Sequence, residues 1–511
     1  MLAGPGVHIA ERAIESINKS IEVGMSRGSS LKHGVAGERG SARLKMYIGG
    51  EWRAGANERD VFDPYRGERV ACAPESTLQD LDDALAAAVA AKAKAAAMPG
   101  YERAALLRKV AALLIERAEE IAEIMSRETG KAIKDCRAEV IRSQDTIQLS
   151  AEEAIRIQGE QVPLDGTPMG AGKLAFLLRF PVGVVAGITP FNAPFNLACH
   201  KIGPALAAGN AIVLKAPPQS PWTVSKLVEL FADAGTPPGF VNLLFGNAVG
   251  PALVRDPRVD FVTFTGSSRV GAEIKAASGL RRVALELGGN GTTIVHSDAS
   301  IEEAAPLCAR NSMRLAGQSC ISVQNVYVHE SIYAGFVERM VEEVNLLRLG
   351  DPLDGATDIG TLIDEAAAKR VEGWVAEAIA NGARALTGAR RDGAAYAPTV
   401  LVDVQPAMRV VCEEVFGPVV TVQRYRDLAP LFEQISAAQY GLQCGIFTQS
   451  IQVAFDAIRA LRVGGVIVNG TSTWRTDQLA YGGIKSSGIG REGPRYAMRD
   501  MTEERLVLFN L

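Results

Sequence analysis

Of seven cysteines, at positions 72, 136, 199, 308, 320, 412 and 444, Cys320 has the setting of a reactive thiol. It sits in a Gln-Ser-Cys loop, RLAGQSCISVQNVYVHE, between a helical stretch and a strand. A thiol at such a loop faces a cleft, where a nearby dipole lowers its pKa and makes it a nucleophile. The alternative is a small buried hydrophobe. Glu286 stands 34 positions earlier, inside the otherwise apolar strand RRVALELGG. A carboxylate there is costly to ionise, takes a raised pKa and suits a general base. A strand-end Glu reaching solvent is the other reading. Asn192 lies in the Pro-rich loop ITPFNAPFN, just after a strand ending at Thr189. Its amide suits a developing oxyanion or a turn bond. In DFVTFTGSSRVGAEI, Gly266 and Ser267 precede a helix start whose free N–H groups suit a phosphate, although Ser is also simply a good N-cap. This is neither GxGxxG nor a Walker loop. In CEEVFGPVV a Glu pair precedes Phe416, Gly417 and Pro418.

These residues need a frame. From residue 182 onward short β-branched runs alternate with helical segments: PVGVVAGIT, AIVLKA ending at Lys215, GFVNLLFG, DFVTFTG, RRVALELGG and GTTIVH. That rhythm predicts an α/β fold, a parallel sheet with helices on both faces. Polar residues at the carboxyl ends of such strands are where ligands bind. Upstream, 78–98, 101–129 and 131–158 read as helices, and QVPLDG…KLAFLLRF as a hairpin. A second α/β run follows, with helices over 301–316, 331–348 and 364–381 and strands near 398–404, 418–424 and 444–448. The terminal ERLVLFNL reads as a strand that pairs with another element or subunit. Residues 1–45 differ: Ile9, Ala13, Ile14, Ile17 and Ile21 have near-helical spacing, and a polar stretch follows. They read as a flexible extension or as the product of a start assigned too far upstream.

The chain has 511 residues, 47% of them hydrophobic and 22% charged, with net charge −4. That suffices for about three domains with large cores. The small net charge argues against nucleic acid or an anionic membrane as partner. No apolar run reaches the 18 residues of a transmembrane helix. The cysteines never form CxxC, so neither a disulfide scaffold nor a zinc site is expected, and the compartment reads as reducing and cytoplasmic.

Taken in order, PFN, K, FTGS, ELGG, GQxC, EEVFGP and GGIKxSGxGRE resemble the aldehyde dehydrogenase superfamily, from about Met46 to Leu511. The resemblance implies NAD or NADP as cofactor and a small aldehyde as substrate. It makes Cys320 the nucleophile, Glu286 the general base, Asn192 the oxyanion donor and Lys201 a structural or proton-relay lysine. It puts Thr189, Pro190, Phe191, Lys215, Gly266, Ser267, Leu287, Glu414 and Phe416 around the cofactor, with Lys215 at the adenosine ribose and Ser267 at the pyrophosphate. It implies a Rossmann-like cofactor domain over 46–156 and 177–285, an α/β catalytic domain over 286–481, and a β oligomerisation arm from 157–176 and 494–511. That arm suggests a homodimer or homotetramer.

The sequence departs from the family in places. KAPP stands where an acidic KPSE-type segment is common, and Pro218 takes the place of the acid. A carboxylate there would bind the ribose 2′-hydroxyl and repel a 2′-phosphate, so its absence admits NADP without excluding NAD. Phe191 replaces a frequent Trp. The segment NGTSTWRTDQLAYGG resembles relatives acting on short or anionic aldehydes such as lactaldehyde, glyceraldehyde 3-phosphate or phosphonoacetaldehyde. Arg475 and Arg142 are candidate anion contacts, or interface arginines. Trp474 lines the substrate entry or simply packs. Two other readings compete: an acylating, CoA-dependent semialdehyde dehydrogenase, against which Glu286 speaks, and an inactive binding or structural homologue.

Overall fold

Val184–Ile188, Ala211–Lys215 and Val241–Leu244 are buried along their whole length, as strands covered on both faces must be. In the computed structural model, which describes residues 41–511, they join Phe261–Thr265 and Arg282–Glu286 as the parallel centre of an eight-stranded sheet. The parallel part starts at Val184–Ile188, adds two strands on one side, then returns to add Phe261–Thr265 and Arg282–Glu286 on the other, while the earlier strands Met46–Ile48 and Glu51–Arg53 form an antiparallel edge. The strand order therefore reverses between Val184–Ile188 and Phe261–Thr265. A crevice opens at such a switch point, outside the carboxyl ends of the strands. The loops that follow these two strands carry Asn192 and Gly266–Ser267.

A second sheet of seven strands holds Thr292–Val295, Asn325–His329 and Val419–Tyr425 at its centre. Six of its strands are parallel, and Arg384–Thr387 is an antiparallel edge. The short strand Gly488–Ile489 crosses back to the first sheet and pairs beside Glu286. Each sheet has its own apolar core.

Of the three smaller sheets, the one formed by Glu160–Val162, Lys173–Pro181 and Thr502–Asn510 differs from the expected arm. Its strand Lys173–Pro181 pairs along nine residues with Thr502–Asn510, so it runs past the boundary expected at 176. Helix Pro494–Asp500 is no part of it. That helix packs on Pro194–Ala207 and Ile133–Ala154, and Met498 and Met501 join the cofactor-side core. Residues before 46 also take part in the fold: Ala42–Arg43 lies parallel to Arg69–Pro74, and Leu44 is buried. The helix expected over 101–129 breaks at Arg117 into Gly100–Glu116 and Ala118–Thr129. The helical spacing at Ile9–Ile21 lies outside the described residues. Among those described, no helix is long and apolar enough to cross a membrane, and all seven cysteines are free thiols.

Candidate active site

The Cys320 loop is shaped by backbone that few residues tolerate. Helix Ile301–Met313 is followed by Leu315, Ala316 and Gly317, all left-handed, with φ of 57°, 51° and 69°. Two non-glycine residues in that region carry strain, which the surroundings must hold. Gly317 is required for packing as well: a Cβ there would lie 1.9 Å from the Gly417 carbonyl oxygen. The GQSC and FGP segments are therefore pressed together. Gln318 pins the loop, accepting from the Ile363 N–H at 2.9 Å and donating to the Leu315 carbonyl at 3.2 Å.

Two glycines after Glu286 do the same on the other side. A Cβ on Gly289 would meet the Cys320 carbonyl oxygen at 2.5 Å, and one on Gly288 the Glu414 carboxylate at 2.4 Å. Strand Arg282–Glu286 can thus end against both. The result is a cavity of about 480 Å³ whose walls include Asn192, Glu286, Cys320 and Glu414, together with Pro190, Phe191, Gly266, Ser267, Leu287, Phe416, Arg142 and Arg475. Thr189, Lys201, Lys215 and Trp474 do not line it.

The chemical groups in this cavity are unequal in their partners. Cys320 Sγ lies 3.1 Å from the Tyr481 hydroxyl. Burial pushes the thiol up to about 12; the Tyr481 hydrogen bond pulls the other way, and so does the more distant Arg475 charge. The dipole-lowered thiol expected from the sequence is not what this site presents, because desolvation dominates. Glu286 ends its strand buried, and its Oε2 has no hydrogen-bond partner among the described residues. Burial and the nearby charge of Glu492 hold this carboxyl well above the usual range. Asn192 donates its side-chain N–H to the Gln318 carbonyl at 3.1 Å, two residues from the thiol. Lys201 is buried behind the cavity and donates to Thr265 Oγ1 at 2.8 Å. Burial lowers its pKa, against the pull of Glu492 and Glu286.

At the cofactor end, Ser267 caps helix Ser268–Ala277 and accepts weakly from the Val270 N–H at 3.4 Å. Lys215 ends its strand and donates to Asn247 Oδ1 at 3.1 Å. Burial brings it down to about 8, with Glu75 opposing and Arg59 adding to the fall. Thr189 donates its hydroxyl to the Lys215 carbonyl at 3.3 Å. Glu414 accepts from the Gly289 N–H at 3.0 Å and is lifted by burial to about 7. Phe416, left-handed at φ 47°, stands edge-on to Phe191 with ring centres 5.9 Å apart. A helix N-terminus and a carboxylate with an aromatic pair line one crevice, and the buried Lys215 ends a strand of the same sheet outside it. Phosphate, ribose and a flat ring would each meet a suitable group there, so the residues fit a dinucleotide.

The substrate candidates fare differently. Trp474 is 54% exposed and outside the cavity. Arg475 is buried, with Nη2 donating to Glu492 at 2.7 Å and its guanidinium 3.8 Å from the Tyr481 ring centre. Its Nε makes no hydrogen bond among the described residues and lies 3.9 Å from Asp477 Oδ1. Arg142 is one-third exposed and donates through Nε and Nη2 to Asp477 at 3.0 and 2.6 Å. Asp477 also takes the Thr146 hydroxyl at 2.5 Å and faces His200 Nε2 at 3.2 Å. Burial alone would raise Asp477; His200 and Arg142 reverse this and hold it far below the usual carboxylate range.

Sequence reasoning missed Tyr481, Glu492 and the buried Lys131–Glu139 pair. The first two sit within or beside the YGGIKSSGIGRE segment, whose pattern was visible but whose side-chain roles were not. Glu139 accepts from the Phe195 and Asn196 N–H groups at 3.0 and 3.1 Å, and Lys131 donates to the Asn192 carbonyl at 3.2 Å. The pair anchors the loop that carries Asn192, and nothing in the helical spacing of 131–158 announces it.

Comparison with known proteins agrees with this geometry. Residues 52–507 match the model of the aldehyde dehydrogenase family. The chain is 47% identical over 468 residues to 3-sulfolactaldehyde dehydrogenase of Priestia aryabhattai, covering 91% of this chain and 98% of that one. It is 36% identical to the lactaldehyde dehydrogenase of Methanocaldococcus jannaschii over 473 residues, 91% of this chain and 100% of the other. Among solved structures, NADP-dependent glyceraldehyde-3-phosphate dehydrogenase from Bacillus halodurans, complexed with NADP, superposes with TM-score 0.89 at 35% identity, over 92% of this chain and 99% of that one. Aldehyde dehydrogenase 21 from Physcomitrella patens, in complex with the product succinate, gives 0.90 at 39% identity, with coverage of 92% and 99%. The chain therefore belongs to the aldehyde dehydrogenase family, and is an NAD(P)-dependent aldehyde dehydrogenase.

Proposed function

We propose that the enzyme oxidises a short anionic or hydroxylated aldehyde to its acid by covalent catalysis at Cys320. The thiolate attacks the aldehyde carbonyl, and the Asn192 amide and the Cys320 N–H stabilise the oxyanion of the thiohemiacetal. Bound NAD(P) would supply the hydride acceptor, so that the Cys320 thiohemiacetal, on losing its hydride, becomes a thioester. Glu286 then activates a water to hydrolyse that thioester. Its Oε2, buried without a protein partner, is free for that water. Ser267, Lys215, Glu414 and Phe416 would hold pyrophosphate, adenosine ribose, nicotinamide ribose and ring.

The observation that carries this reading is the meeting of Cys320 and the unpartnered Glu286 in one cavity, with Arg142 and Arg475 in its wall. Arg475 is matched by Glu492 and shares Asp477 with Arg142, so the one-third-exposed Arg142 is the guanidinium placed to meet a sulfonate, phosphate or carboxylate. A 3-sulfolactaldehyde-like substrate has the required size, hydroxyl and charge. The sheet of Lys173–Pro181 and Thr502–Asn510 exposes Leu178, Leu506, Leu508 and Phe509, which fits coverage by a second copy in a homodimer or homotetramer. Seven free thiols fit a reducing, cytoplasmic setting.

The test is an aldehyde panel of 3-sulfolactaldehyde, lactaldehyde, glyceraldehyde 3-phosphate and propanal, run with NAD or NADP and with or without CoA. Highest kcat/KM on an anionic member without CoA is expected. A requirement for CoA would assign thioester transfer instead of hydrolysis. Preference for propanal would remove the anionic class.

A further inference from the structure

We infer that the Tyr481 hydroxyl is a catalytic group that holds the Cys320 thiolate. The inference rests on the assignment of Cys320 as nucleophile. Tyr481 Oη lies 3.1 Å from Sγ, and the tyrosine is 5% exposed. With the thiol protonated either atom can donate. Once the thiol loses its proton, only the phenol has a proton to give, so the bond becomes O–H to S⁻. A hydrogen bond to a charged acceptor in a dry site is stronger than one to its neutral form, so the contact favours the thiolate. The direction of its effect on Cys320 agrees: among the surrounding groups it opposes burial.

The ring is built to stay there. The Tyr481 N–H donates to the Glu492 carbonyl at 3.1 Å, and the Glu492 N–H donates back at 2.6 Å. Glu492 in turn holds Arg475 at 2.7 Å, and the Arg475 guanidinium lies flat against the Tyr481 ring, 3.8 Å from its centre. A cation over the face draws density from the ring and makes the phenol a better donor. Backbone, carboxylate and guanidinium thus fix one oxygen beside one sulfur. No other side chain hydrogen-bonds that sulfur among the described residues. Burial pushes the Tyr481 phenol further up, so Tyr481 stays protonated and remains a donor through the working pH range.

The test is Tyr481→Phe, which keeps the ring and its stacking and removes the oxygen alone. Iodoacetamide alkylation of Cys320 is followed against pH in the full-length enzyme without cofactor, with Cys320→Ser as the blank. Loss of one charge-assisted bond predicts a thiolate population lower by about tenfold to a hundredfold at neutral pH. The alkylation profile should move by about one to two pH units to the alkaline side. Single-turnover hydride transfer at neutral pH should slow by the same factor. The melting temperature, measured alongside, should change little. Superimposable alkylation profiles for Tyr481→Phe and the parent would overturn the inference. So would single-turnover hydride transfer as fast as in the parent at neutral pH. If Cys320→Ser were alkylated as fast as the parent, the nucleophile assignment itself would fall, which is a separate result.

Discussion

The Asn192 loop is held by a buried charge, and removing the counter-charge should cost both stability and catalysis. Lys131 and Glu139 pair with side chains only 2% and 7% exposed. Burial works against the Lys131 charge, but Glu139 outweighs it and keeps the ammonium above its ordinary pKa. In Glu139→Gln the lysine remains buried without a counter-ion, a change worth roughly 3–5 kcal/mol. The Gln oxygen can still accept from the Phe195 and Asn196 N–H groups, so the helix start survives. Lys131 also fixes the Asn192 carbonyl, so displacing it loosens the oxyanion donor. Full loss of such a donor costs about 10²–10³ in kcat, which sets the ceiling. The informative comparison is the cycle with Lys131→Met, read by denaturant unfolding and by kcat/KM. The double variant contains no uncompensated charge and should recover most of the stability lost by Glu139→Gln. It should not recover turnover, because the Asn192 anchor is still missing. Additive stability losses, or near-normal turnover in either Lys131→Met variant, would refute the reasoning.

Arg142→Gln should raise KM for an anionic aldehyde by about 10- to 100-fold and leave propanal nearly unchanged, whereas Arg475→Ala, which strips buried Glu492 of its partner, should lower the melting temperature and hurt both substrates. Equal losses on both aldehydes from Arg142→Gln would remove the anion-contact argument. Glu414 is pushed up to about 7, and only its ionised form accepts two ribose hydroxyls. Cofactor affinity should therefore fall about tenfold as pH drops from 8 to 6, and Glu414→Gln should flatten that profile; a profile unchanged in the variant would discount Glu414. NADP should be used appreciably, and Pro218→Glu should shift preference toward NAD by adding a 2′-hydroxyl acceptor and repelling phosphate. A fixed NAD/NADP ratio would show that position 218 does not read the ribose.

Local patterns made the site's backbone legible. Buried strands such as Ala211–Lys215 are continuous apolar runs, and Glu286 and Lys215 stand out at their ends. Cys320, Glu286, Asn192, Ser267 and Glu414 were all marked in sequence, and the fold brings them to one cavity. What stayed hidden depends on contacts across long separations. Tyr481 reaches Cys320 over 161 positions, and Arg142 meets Asp477 over 335. No periodicity encodes such pairings. The same holds for Arg475: its residue type suggested an anion contact, but its partner Glu492 appears only once the chain is folded. The edges of the arm were misplaced because helix Pro494–Asp500 is short, and its amphipathic signal does not say which core will bury Met498.

The central claim is that oxidation passes through a thioester on Cys320 that Glu286 hydrolyses. Rapid mixing of Glu286→Gln with aldehyde and NAD(P), followed by intact-mass and peptide analysis of the quenched enzyme, tests it most directly. One equivalent of NAD(P)H per active site should form in a burst, with turnover afterwards slower by about 10²–10⁴ and an acyl mass on the Cys320 peptide. Absence of the burst, or an acyl group on another residue, would contradict it.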